Sequence, residues 1–127
     1  MKKAQNLLEI EALTENMMKK ECENGLLRMK VLSFISIYEN LSVGMIIEKL
    51  GIKKSNFALI CAELEKEGLA VSKQAEIDRR CRTMSLTEKG KAELNAYYEK
   101  IDARIGETDM EVDKAIEILI KFLNKRI

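Results

Sequence analysis

The side chains best suited to bind a ligand open a predicted helix over residues 54–67. They are basic or hydrogen-bonding, and they follow one another without a gap: Lys53, Lys54, Ser55 and Asn56. An asparagine can pair bidentately with adenine in the major groove of DNA, and neighbouring lysines can contact the phosphates. The type and order of these residues therefore favour a helix that reads double-stranded DNA with its first turn.

The same helix has two distinct faces at about 100° per residue. Its apolar side chains form one stripe, which we expect to be buried: Phe57, Ile60, Cys61 and Leu64. The opposite arc carries Ser55 and Asn56 together with Leu59, Ala62, Glu63 and Lys66. Gly68 stands where a left-handed C-terminal cap would end the helix. The pattern predicts a helix that packs on one side and lies in a groove on the other.

A short hairpin is predicted after this helix, with strands over residues 69–74 and 81–86. Charged side chains cluster at its tip and just beyond it: Asp78, Arg79, Arg80 and Arg82. An arginine at a hairpin tip can enter a narrow minor groove, while a nearby carboxylate holds it in place. A solvated run of charge is the simpler alternative.

The distribution of charge supports this region as the contact surface. The whole chain of 127 residues has a net charge of only +1, but residues 53–91 carry nine basic and six acidic side chains. The excess of positive charge therefore lies on the predicted helix and hairpin, where phosphates would need it.

The residue inventory argues against several other classes. The chain has no histidine, and no Gly-rich phosphate loop or Ser/His or Cys/His pair is visible, so we expect no enzyme, metal or cofactor. No apolar run approaches about 18 residues, so we expect a cytoplasmic chain without a membrane span. Of the three cysteines, Cys61 falls on the apolar stripe, whereas Cys22 and Cys81 are candidates for redox sensing.

The remaining pattern is mainly helical. Helices are predicted over residues 3–22, 26–38, 43–50 and 88–104, and a last one starts at a capping box from Thr108 to Glu111. Ser42 and Thr87 are candidate N-caps. The two end helices are long and apolar for so small a core, so we expect them to pack against a second copy; completion of a monomeric core is the alternative.

Four segments together resemble the MarR family of winged helix-turn-helix transcriptional regulators. In the one-letter code they are GIKKSN from Gly51, LEKEGL from Leu64, DRR from Asp78 and SLTEKG from Ser85, and the resemblance covers residues 26–94. It implies one domain over residues 1–127, with a DNA-binding lobe over 26–90 and dimerisation helices over 1–24 and 91–127. It further implies a homodimeric, sequence-specific repressor.

The resemblance also implies a small aromatic effector, held between the dimer helices and the DNA-binding lobe. Methionine and aromatic side chains could line such a cleft, although the same stripe is typical of an ordinary core: Met17, Met29, Phe34, Tyr38 and Tyr97.

This chain departs from the family on the outward arc of the reading helix. It has Ala58 and Leu59 where the family often has Thr and Arg, and Glu63 where a basic residue is common. Leu59 could touch a thymine methyl, and Glu63 could accept from cytosine or pair with Lys66. A winged-helix module that binds a protein partner through this face therefore remains an alternative, as does redox sensing.

Overall fold

A computed structural model of the chain describes residues 2–22, 25–74 and 82–127. These residues form six helices and one antiparallel two-stranded hairpin, so the mainly helical fold with a small hairpin is confirmed. In chain order the elements are α1 (Lys2–Lys19), α2 (Leu26–Ile37), α3 (Val43–Leu50), α4 (Lys54–Lys66), β1 (Ala70–Gln74), β2 (Arg82–Leu86), α5 (Glu88–Ile105) and α6 (Met110–Asn124).

Helix α2 is the centre of the core. Four of its apolar residues are buried, as the sequence predicts for a helix that is apolar on more than one face: Met29, Val31, Leu32 and Ile35. The helices α3 to α5 and the hairpin supply the rest of the buried set: Ile46, Phe57, Cys61, Leu64, Leu69, Ala70, Met84, Leu86, Leu94 and Tyr97. Leu94 and Tyr97 follow residue 90, so the packed lobe extends into α5.

Helices α3 and α4 form the predicted helix-turn-helix. The Ser42 side chain caps α3 by accepting from the Met45 amide at 3.3 Å. Gly51 ends α3 with φ of 66°, which is the left-handed region where a side chain is costly. The chain can therefore turn at Gly51 and begin α4 three residues later.

The end of α4 is a Schellman turn. Gly68 has φ of 75°, its amide donates to the Glu65 carbonyl at 3.0 Å, and the Leu69 amide donates to the Leu64 carbonyl at 2.8 Å. Leu64 and Leu69 are both buried, so the turn also brings two apolar side chains into the core. Gly68 is thus confirmed as the position that ends the helix.

The hairpin follows with Ala70 opposite Leu86 and Gln74 opposite Arg82. On β2 the burial alternates as predicted, because Met84 and Leu86 face the core while Thr83 and Ser85 stay half-exposed. This alternation turns one face of β2 toward the core, where the strand packs against α2.

Most predicted helix and strand bounds agree with the structure to within one residue, and two predictions need correction. Helix α1 ends at Lys19 and not at residue 22. The N-cap of α6 is Asp109, whose Oδ1 accepts from the Val112 amide at 2.8 Å, and not Thr108. Thr108 instead donates from Oγ1 to the Asp113 carboxylate at 2.6 Å. The shift lets a charged acceptor cap the helix, which favours the positive end of the helix dipole.

We expect Gly90→Ala to lower the free energy of unfolding by about 1–3 kcal/mol, the usual cost of overpacking. A Cβ at Gly90 would lie 2.0 Å from the carbonyl oxygen of Leu69, which is backbone and cannot swing away. Urea titration measures the change.

Gly44→Ala is the matched control, because a Cβ at this helical glycine meets nothing within 4 Å. We expect it to leave stability unchanged or to raise it by up to about 1 kcal/mol. Equal destabilisation by the two variants would contradict the close approach at Gly90.

Candidate nucleic-acid interface

The faces of α4 divide as the sequence predicts. Phe57, Cys61 and Leu64 are buried, and Ile60 is half-buried against the same core. The outward arc is exposed along its whole length: Ser55, Asn56, Leu59, Ala62, Glu63 and Lys66. One side of α4 therefore holds it in the lobe, and the other is free to meet a ligand.

The first turn of α4 has no side-chain cap, and its residues are exposed. Lys53 occupies the N-cap position and provides no side-chain cap, so the first amides of the helix point outward with the positive end of its dipole. Lys53, Lys54, Ser55 and Asn56 surround this end and are all exposed. This arrangement suits a phosphate beside the helix start and a base edge next to it.

The outward arc also carries a carboxylate. Within the described part of the chain, Glu63 forms no ion pair with Lys66, so one of the sequence-based alternatives for Glu63 is wrong. Its negative charge lies on the exposed face and opposes a phosphate placed there, which confines favourable phosphate contact to the helix start and to Lys66.

The structure brings Lys54 and Arg82 to one cleft. A cavity of about 370 Å³ lies between α3, α4 and the hairpin, with Phe57, Cys61 and Met84 among its apolar residues and Lys54 and Arg82 among its charged ones. Arg82 is exposed at the start of β2. The other predicted hairpin residues lie outside the described residues: Asp78, Arg79, Arg80 and Cys81.

A second cavity of about 390 Å³ lies between α1, α2, α3 and α5. Of the predicted effector residues, Met29 and Phe34 line it, and Tyr38 packs edge-on against Phe34 with ring centroids 5.5 Å apart. Met17 and Tyr97 do not line it, since their neighbours Met18 and Tyr98 take those places. A shift of one residue rotates a helical side chain by about 100°, which the sequence pattern could not resolve.

The polar side of this second cavity was missed by the sequence analysis. Ser33 and Tyr98 share a hydrogen bond of 2.6 Å across it. Lys49 lines it too, donates to Asn124 of α6 at 2.7 Å, and lies 4.8 Å from the centre of the Tyr38 ring. Lys49 and Asn124 are 75 positions apart in the sequence, which explains why no local pattern could reveal this contact.

The described cysteines are not activated. Burial, and to a lesser degree the charge of Glu65, raises the pKa of Cys61 to about 12. Burial also raises the pKa of Cys22, the charge of Glu21 adds to this, and Lys100 opposes it. Cys22 Sγ lies 3.6 Å from the Met29 sulfur. Both thiols are therefore protonated at neutral pH, whereas the thiolate is the reactive form.

No helix in the described ranges is long and apolar enough to cross a membrane. Within the same ranges, no group of three His, Cys, Asp or Glu side chains could hold a metal ion.

Comparison with known proteins identifies the fold. No protein-family model matches the chain, and no curated protein matches it. Solved structures do match over nearly the full length. E. coli MarR in its apo form has a TM-score of 0.73 at 12% identity, covering 94% of this chain and 95% of that one.

Two further similar structures contain DNA. Streptococcus pneumoniae FabT in complex with DNA has a TM-score of 0.68 at 16% identity and covers 100% of both chains. The S. aureus MepR F27L mutant bound to an oligodeoxyribonucleotide has a TM-score of 0.63 at 15% identity, covering 98% of this chain and 97% of that one. The chain thus has the fold of MarR-like winged-helix proteins.

We expect Cys61 to resist alkylation by iodoacetamide in the folded protein, although it borders an open cleft. With a pKa of about 12, roughly one thiol in ten thousand is ionised at about pH 8. Mass spectrometry of the Cys61 peptide, with the same protein in concentrated urea as the control, measures this. Equal rates with and without urea would show that the thiol is neither buried nor raised in pKa.

Proposed function

We propose that this chain, with its MarR-like winged-helix fold, is a sequence-specific DNA-binding transcriptional regulator that acts as a homodimeric repressor in the cytoplasm. The observation that carries the proposal is the open first turn of α4, where Lys54, Ser55 and Asn56 are exposed opposite a buried stripe. The presence of DNA in two structures of the same fold supports it.

The proposed contacts follow from the chemistry of each side chain. Asn56 pairs with a base edge in the major groove, and Ser55 donates to a base or a phosphate beside it. Lys53 and Lys54 contact the phosphates on either side of the helix start. Leu59, whose side chain is 66% exposed, lies against a thymine methyl.

The hairpin supplies the second contact in this proposal. Arg82 and Lys54 line the first cavity together with Glu65, so a small excess of positive charge lies between the reading helix and the hairpin. The roles of the tip residues are predicted from the sequence alone. Arg80 enters the flanking minor groove, Asp78 orients it, and Arg79 adds a phosphate contact.

The case for a homodimer comes from the end helices. Helices α1 and α6 contain no buried residue. An isolated helix of the 15 residues in α6 is marginal in water. Its apolar face is nevertheless about half exposed, with Val112 at 45%, Ile116 at 51% and Phe122 at 46%. A second copy that covers this face provides the missing packing and places two α4 helices about a two-fold axis.

A regulator of this kind can respond to a ligand in the second cavity. Its walls combine Met29 and Phe34 with two lysines, Lys30 and Lys49. These groups suit a small aromatic effector with a polar or acidic substituent.

A protein-binding module is the second candidate, and the exposure of Leu59 between Ala58 and Ala62 favours it. Leu59 and Ala62 lie on the outward arc and Ala58 lies beside it, and all three are exposed. This small apolar surface could dock a partner helix. If the chain works in this way, the wild type shows no salt-dependent binding to any duplex.

We expect Asn56→Ala and Lys54→Ala to weaken DNA binding in different ways. Asn56→Ala should relax the preference at one base position and cost about 1–3 kcal/mol there. Lys54→Ala should weaken binding to every sequence and lower the salt slope by about one unit. Selection from random duplexes at two salt concentrations measures both effects. Identical effects of the two variants on base preference would contradict these roles.

We expect Ile116→Glu to convert the dimer into monomers at micromolar concentration, because it places a charge in the apolar face of α6. Light scattering measures the mass. The control is Lys121→Gln, which makes the same change in charge on the opposite side of α6 and should leave the dimer intact. A wild type with the mass of one chain would refute the dimer.

A further inference from the structure

Arg28 ties three helices together at one point. It lies in the first turn of α2, and its side chain is only 13% exposed. Its Nη2 donates to Oε2 of Glu67, just after α4, at 2.6 Å, and to the Glu93 carboxylate of α5 at 3.2 Å. Burial alone would lower the pKa of Arg28, but the hydrogen bond to Glu67 and the charges of Glu93 and Glu67 raise it. The guanidinium is thus a permanently charged link.

This link lies where α4 ends and α5 begins, and several other contacts fix the same place. The Thr87 hydroxyl donates to the Gly68 carbonyl at 2.6 Å, and the Thr87 amide donates to the Leu69 carbonyl at 3.0 Å. Lys89 Nζ donates to the Glu67 carbonyl at 3.1 Å. The C-terminal end of α4 is therefore held against α5, while its N-terminal end carries the DNA-reading residues.

This arrangement anchors the C-terminal end of α4 to α5, while the buried side chains of Phe57, Cys61 and Leu64 hold α4 to the rest of the lobe. A change at the anchor therefore tilts the elements packed on α4 together with α4. The 13 residues of α4 span about 20 Å at 1.5 Å per residue. A rotation of about 5° at the anchored end moves the reading end by roughly 1.7 Å. Two copies that move in opposite directions change the separation of their reading ends by roughly 3.4 Å, about the rise of one base pair.

We propose that Arg28 is a positioning residue that sets the angle of α4 relative to α5 and so selects the spacing between DNA half-sites. The inference rests on the proposed dimeric DNA reader and adds a determinant that touches no DNA. Base preference within each half-site comes from Asn56 and its neighbours, whereas spacing comes from the joint at Arg28.

The preference for one half-site spacing distinguishes a positioning role of Arg28 from a purely structural one. A variant that only destabilises the lobe loses affinity for all spacings in proportion to its folded fraction. A variant that loosens the joint accepts neighbouring spacings while it keeps its base preference.

The test is selection from a duplex library in which two selected half-sites are separated by variable lengths. We expect the wild type to prefer its best spacing over the adjacent ones on the order of tenfold, as for a mismatched position. In Arg28→Met, which keeps the apolar stem but loses the charge, this preference should fall to about threefold or less. Arg28→Lys keeps one charged nitrogen that can donate to both carboxylates, and it should restore part of the preference.

Lys91→Met is the matched control, since it makes the same change of residue and of charge in α5. Among the described residues, Lys91 pairs only with Glu88, at 3.5 Å on an exposed surface. It should select the wild-type spacing with wild-type sharpness.

Milder variants keep the test decisive if Arg28→Met does not fold. Glu67→Gln and Glu93→Gln each weaken one arm of the link, and each should broaden the spacing preference. An unchanged spacing preference in the folded variants, with the wild type still selecting a two-fold motif, overturns the inference and leaves the proposed function standing. Equal loss of base and spacing preference in Arg28→Met also overturns it. A wild type that selects no DNA overturns the proposed function itself.

Discussion

The contact between the carbonyl of Leu69 and the backbone of Gly90 is the constraint on which the rest of the lobe depends. A side chain at position 90 would collide with that oxygen, so only glycine lets the start of α5 approach the end of α4 this closely. The approach in turn allows Thr87 to satisfy the carbonyls of Gly68 and Leu69 while it caps α5. One small residue therefore sets how closely the start of α5 can approach the turn that follows α4.

The lobe and the end helices are stabilised in different ways. The lobe buries a continuous apolar core around α2, and its caps and turns satisfy the backbone locally. Helix α6 contacts the lobe through polar groups such as Lys49 and Asn124 and keeps its apolar face outside. The surface that is packed and the surface that is free thus belong to separate parts of the chain, so the dimer proposed above would cover α6 and leave the exposed arc of α4 free.

Much of the fold could be predicted because it is encoded locally. The stripe from Phe57 to Leu64, the caps at Ser42 and Thr87, and the turn at Gly68 each depend on residues within a few positions of one another. The misassigned positions were equally local but too close to separate: Asp109 and Thr108 can both cap, and Met18 and Tyr98 differ from the predicted cavity residues by one position. The links at Arg28 and Lys49 join residues that are far apart in sequence, so no periodicity could indicate them. Whether Arg80 and its neighbours bind DNA is a prediction that depends on the sequence alone.

The placement of the core also bears on how the protein is made. All buried hydrophobic residues of the described ranges lie between Met29 and Tyr97, whereas α6 begins only at Met110. During synthesis at about 5–20 residues per second, the ribosome completes every core-forming segment before it adds the last helix. Because α6 adds nothing to this core, the nascent lobe does not have to wait for it. Helix α6, with its half-exposed apolar face, therefore follows every core-forming segment in the order of synthesis, which shortens the time that this face spends on a chain without a complete core.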